Sequence, residues 1–196
     1  MTQIRFRFDP EKLVHALSFF STNGVDDLST MKAAKLLYFA DKMHLLRYGR
    51  PIIGDDYFCL EHGPIPTQSL NIIQARIAGA DDARYELMEE FFDVLTGSKY
   101  PRLRAKKAPD LDVFSDSDVE VLKEVLATYG QKDAWALRQL THEQPEIKAA
   151  DEQRLASGKG SVPISFESFF DSTQEAMLAL LKDDQSSRDF ATSLTW

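Results

Sequence analysis

The stretch KLLYFADKMHLLRYGRPIIGD, Lys35–Asp55, decides how the chain is built. Its first half reads as a helix that is apolar on nearly every side, which predicts burial between other elements rather than a place on the surface. The helix starts near Ser29 or Thr30 and stops at Gly49, since glycine takes the left-handed conformation at little cost. Within it, Asp41 and His44 stand at i and i+3, on one face and within pairing reach. A buried carboxylate and imidazole must satisfy each other or find other partners. One reading is a polar network that fixes helix register, with Tyr38 one turn before Asp41 and Tyr48 one turn after His44. The other is the acid–base pair of a small hydrolase or transferase. The network is the simpler reading.

Outward from this helix the chain reads as mainly helical α+β, with a small antiparallel sheet or hairpin. Upstream, Asp9-Pro10 opens a helix carrying Leu13, Leu17 and Phe20, and Gly24 ends it. Downstream, Tyr57–Glu61 is the best strand, closed by Gly63-Pro64 because proline cannot donate to a ladder. A third helix fits Pro66–Ala78, and residues 81–90 fit a short helix or the lead-in to a strand. A hairpin pairs Phe91–Leu95 with Tyr100–Lys107. A capping box, Ser115 with Asp118 or Ser117 with Glu120, starts a helix that Gly130 closes. A short helix fits Lys132–Thr141, residues 150–162 read as a flexible connection, and a last helix runs from Phe166 to Lys182. Residues 1–183 thus read as a single domain, and 184–196 as a flexible C-terminal tail.

Composition narrows the function. Of 196 residues, 43% are hydrophobic, enough for a substantial core. A net charge of −8 disfavours nucleic acid, whose binding rests on Lys and Arg, and favours a basic or neutral protein partner. No window approaches the roughly 18 apolar residues of a membrane span. The opening MTQIRFRFDP lacks the apolar run of a secretory signal, and Cys59 is the only cysteine, so the expected home is the cytoplasm.

No motif for catalysis or metal binding stands out. None of His15, His44, His62 and His142 pairs with another at i, i+4; HEQPE starts like a zinc-protease motif but lacks the second histidine, and Pro145 would break the helix that motif needs. Asp41, His44, Cys59 and His62 would suit zinc by type, but their spacing matches no common zinc pattern. Neither a cofactor nor a metal is expected. Arg102, Arg104 and Lys106 alternate on one strand face opposite an acidic stretch, which cross-strand pairing explains.

The spelling adds what composition cannot. KLLYFA (Lys35–Ala40), YGRPI (Tyr48–Ile52) and GPIP (Gly63–Pro66), followed by PDLDVFSDSD, YG and LTHE, resemble in order the signature of the Panacea, or SocA-like antitoxin, family. The resemblance spans about residues 10–150. It implies a bacterial or phage-encoded antitoxin that neutralises a cognate protein toxin, usually encoded by the adjacent gene, by direct binding and without catalysis. One relative is instead an adaptor that hands its toxin to a Clp-type protease, the alternative reading. Lys35, Tyr38, Asp41, His44, Tyr48, Gly49, Gly63 and Pro64 form the structural signature and polar network. Antitoxin surfaces should carry aromatic and arginine anchors in a polar rim. The candidate toxin contacts are therefore Tyr57, Phe58, His62 and Ile65 near the turn, Tyr100, Arg102 and Arg104 on the hairpin, and Trp196.

Overall fold

A computed structural model describes residues 3–78 and 83–193. Helix α1 (Pro10–Thr22) is capped by the Asp9 carboxylate, which accepts from the backbone N–H of Glu11 and Lys12. Helix α2 (Thr30–Tyr48) starts at the Ser29 cap and ends at Gly49, whose φ of 73° is the left-handed turn the sequence predicts. Every residue from Met31 to Asp41 is buried, so α2 is the central strut. It packs against helices α3 (Thr67–Ala78), α5 (Asp116–Tyr129) and α6 (Ala134–His142). The capping box of α5 joins Ser115 and Asp118, the first of the two pairs read from the sequence.

Strand β1 (Tyr57–Leu60) lies between β2 (Gly63–Pro66) and β5 (Val162–Ile164), antiparallel to both. The sequence reading ended the strand at Gly63-Pro64 and missed β2. Pro64 and Pro66 are tolerated because β2 is an edge strand and has a neighbour on one side only. A second sheet pairs β3 (Phe92–Leu95) with β4 (Arg102–Ala105), so there are two small sheets where one was expected. Helix α4 (Ala83–Phe91) resolves the ambiguity of the preceding segment in favour of helix. Leu103 N–H donates to Leu28 O at 2.8 Å and Thr30 N–H to Pro101 O at 2.8 Å, tying the hairpin to the start of α2.

Two further expectations fail. Pro145 does separate two helices, since α6 ends at His142, but it also starts one: it occupies the first turn of α7 (Pro145–Ser157), where its missing N–H costs nothing. Most of the stretch read as a flexible connection is therefore helix. The last helix, α8 (Glu175–Ser193), follows two short 3-10 turns and continues past Lys182. Its one buried residue, Gln185, accepts from Arg5 N–H at 3.1 Å and so fastens the helix to the N-terminal segment. No helix among the described residues is long and apolar enough to cross a membrane.

Candidate functional site

Asp41 and His44 share a helix face yet serve separate networks. Asp41 Oδ1 accepts from Ile52 N–H and Ile53 N–H, both at 2.8 Å, and its Oδ2 accepts from the Tyr57 hydroxyl at 3.1 Å. The carboxylate thus holds the PII segment after the YGR turn against β1. Burial pushes its pKa up to about 7, against the pull of these three donors. His44 Nδ1–H donates to Arg50 O at 2.6 Å, and Nε2 lies 3.0 Å from Asp118 Oδ1. Asp118 also takes Lys12 at 2.7 Å and Arg50 at 2.9 Å. Burial opposes its charge, but the His44 and Lys12 contacts outweigh that and hold its carboxyl well below the usual range. Asp41, His44 and Asp118 are each 0% exposed. Of the two possibilities the sequence left open, the groups find other partners: backbone donors from the following turn reach Asp41, and α5 supplies the partner for His44.

The other signature residues brace the same strut. Tyr38 donates a short hydrogen bond to Glu146 of α7, which also takes Lys42 at 2.6 Å. Tyr48 is 42% exposed, with its ring 4.7 Å from that of His44. Lys35, only 1% exposed, donates to Pro64 O at 2.7 Å and so ties α2 to edge strand β2. Burial lowers its pKa to about 7, with Arg138 adding to the shift and Cys59 opposing it.

The surface candidates gather elsewhere. A groove of about 400 Å³ opens between the start of α2, the β1–β2 turn, α3 and the β3–β4 connection. Met31, Ala34, Leu60, Ile65 and Leu70 make its apolar walls, and Lys35, His62 and Tyr100 supply polar groups. The His62 ring stands between Tyr100, 6.4 Å away, and Trp135, 5.5 Å away. His62 Nδ1 and the Tyr100 hydroxyl are buried and find no hydrogen-bond partner among the described residues. Three of the sequence candidates, His62, Ile65 and Tyr100, thus line one groove.

The remaining candidates part company. Phe58 lies opposite Ile65 in the ladder, on the same half-buried sheet face. Arg102 and Arg104 are exposed on β4, with Arg104 paired to Asp93 at 3.1 Å. Tyr57 is 2% exposed and points inward to Asp41, so it offers no surface. Trp196 lies outside the described residues. The sequence reading passed over Trp135, which is 55% exposed. The signal was present: the buried stripe of α6 is Leu137 and Thr141, and Trp135, two residues before Leu137, falls on the far side. Among the described residues, no group of three or more His, Cys, Asp and Glu side chains is placed to hold a metal ion.

The sequence matches the family described as Antitoxin SocA-like, Panacea domain, over residues 34–146, more than half of the chain. The chain belongs to this family. The Panacea match starts inside α2 and ends at Glu146, the residue that closes onto Tyr38. It takes in Asp41, His44, Asp118, β1, β2, most of the groove lining and Trp135, and leaves Lys12, Met31, β5 and α8 outside. It is narrower than the span of 10–150 read from the motifs. No curated protein matches the chain. No solved structure matches it either.

Proposed function

We propose that this Panacea protein is an antitoxin that neutralises a cognate protein toxin by direct, non-catalytic binding, and that the toxin docks on the groove face. The observation that carries this reading is the row Trp135–His62–Tyr100 beside an apolar groove. Trp, Tyr and Arg dominate binding energy at protein interfaces, around pockets that exclude water. Here a largely exposed Trp135, a partly exposed Tyr100 and Arg138 lie together. The separation of Asp41 from His44, both sealed from solvent, speaks against the hydrolase or transferase reading. The net charge of −8 favours a partner that is basic overall.

The test is co-expression with the product of the adjacent gene, scoring growth and co-purification together. A neighbour that is toxic alone, harmless with this protein and recovered in complex with it supports the proposal. Rescue without a complex, dependent on a Clp-type protease, replaces it with the adaptor reading. A harmless neighbour that does not bind removes it.

A further inference from the structure

Gly63 has a φ of +84°, and a Cβ built on it would lie 2.9 Å from Thr141 Oγ1 and 3.3 Å from both His142 Nε2 and Lys35 Nζ. Side chains from α2 and α6 therefore converge over one bare α-carbon. The hydrogen-bonding of this cluster is incomplete. Lys35, when protonated, carries three donor hydrogens and spends one on Pro64 O. Arg138 Nη2–H donates to Glu61 O at 2.9 Å, while its buried Nε has no partner among the described residues. Buried His142 Nε2 has none either. Thr141 is already spent, since its hydroxyl donates to Arg138 O.

The charges are as one-sided as the hydrogen bonds. The His142 pKa is lowered first by burial and then by Arg138, with Lys35 and Arg154 adding to the shift. Asp151, the carboxylate that opposes this, is paired with Arg154 at 2.8 Å. Basic groups thus face one another inside a chain whose net charge is −8, each making the others' charge more costly. An entering carboxylate relieves this twice, by opposing charge and by accepting the idle N–H groups.

We propose that Lys35, Arg138 and His142 form an anion site that receives an Asp or Glu side chain of the protein partner. The inference rests on the antitoxin reading and names the chemistry of its contact. A protein carboxylate fits better than a free ion because Trp135, Arg138 and His142 follow one another at i, i+3 and i+7 along one face of α6. Arg138 lies 6.0 Å from the Trp135 ring, so an apolar group seated on the indole brings a neighbouring acidic side chain to the guanidinium. A partner that is basic overall would carry this acidic residue as a local anchor.

The test is an NMR titration of the full chain, following the Arg138 Nε–H and the His142 ring. The probes are 3-phenylpropionate, its neutral amide 3-phenylpropanamide, and inorganic phosphate. The proposal expects saturable shifts with the carboxylate, none with the amide and weaker shifts with phosphate. Arg138→Gln should abolish the response while the backbone amide spectrum stays folded, and His142→Gln should weaken it several-fold. Equal shifts from carboxylate and amide, or none, overturn the site. Phosphate binding as tightly as the carboxylate reassigns it to a free anion and overturns the partner claim. Complex formation with the adjacent gene product separates the two readings. If the complex forms and Arg138→Gln binds like the wild type, the anion site falls and the antitoxin reading stands. If no complex forms, the antitoxin reading falls and the titration alone decides the site.

Discussion

The two sides of α2 treat polar groups in opposite ways. Toward the YGR turn and α5, Asp41 accepts three hydrogen bonds and both nitrogens of His44 are engaged. Toward the hairpin turn and α6, His62 Nδ1, the Tyr100 hydroxyl, Arg138 Nε and His142 Nε2 are buried without partners among the described residues. A buried polar atom left unpaired costs about 1–3 kcal/mol, so the second side carries the larger standing cost; on the first, Asp118 Oδ1 accepts no hydrogen bond of good geometry but lies 3.0 Å from His44 Nε2 and 2.9 Å from Arg50 Nη2. The closed side explains the fold. The open side, next to an apolar groove and an exposed tryptophan, is where the proposed binding would recover that cost.

The contrast predicts a loss of stability on one side and a loss of binding on the other. Asp41→Ala strands two backbone N–H groups and the Tyr57 hydroxyl, and should cost about 4 kcal/mol, a large share of the roughly 5–15 kcal/mol that holds a domain folded. Asp41→Asn keeps an oxygen for both N–H groups and should cost about half as much. Urea denaturation followed by circular dichroism measures both, and a stable Asp41→Ala would break the brace. Gly63→Ala tests the packing beneath the open side, because it forces a positive φ on alanine and drives Cβ to within 2.9 Å of Thr141 Oγ1. A loss of about 1–3 kcal/mol should appear as a lowered Tm.

Trp135→Ala should do the reverse. With 55% of the residue in solvent, stability should change by no more than about 0.5 kcal/mol. The affinity for the toxin should fall about 30-fold, the scale of an interface hot spot. Calorimetric titration and a melting curve on the same preparation separate the two effects.

A further test is one of pH. Lys35 has its pKa lowered from 10.5 to about 7 in the folded chain. Between those values the unfolded chain binds more protons, so Lys35 makes stability rise with pH from about 7 toward 10.5. Lys35→Met should flatten that rise in denaturation curves taken across the same window. An unchanged slope would mean that Lys35 is not held in a desolvated site.

The brace was half legible in the sequence. The all-round apolarity of residues 30–48, the Ser29 start and the Gly49 stop fixed α2, and Asp41 and His44 stood out as polar groups inside it. Their partners did not. His44 meets Asp118 and Tyr38 meets Glu146, 108 positions further along the chain, and a single sequence carries no signal for such pairings. Helix α7 was hidden because its buried set, Glu146, Ile147 and Ala150, is too short and polar to form a stripe. Strand β2 was hidden because its prolines argue against any strand until its edge position is known. On the groove side, aromatic types near the turn pointed to His62 and Tyr100. Tyr57 shared that signal and went inward, since alternate residues of β1 face opposite ways.

The central claim is that this face of the Panacea domain binds a toxin directly. The most direct measurement is the dissociation constant of the adjacent gene product for the wild-type chain and for Trp135→Ala, by calorimetry, with both chains shown to be folded. The account predicts a stoichiometric complex that weakens about 30-fold on loss of the indole. A complex that forms with equal affinity in both would place the interface elsewhere, and a toxic neighbour that is neutralised without ever binding would contradict direct neutralisation.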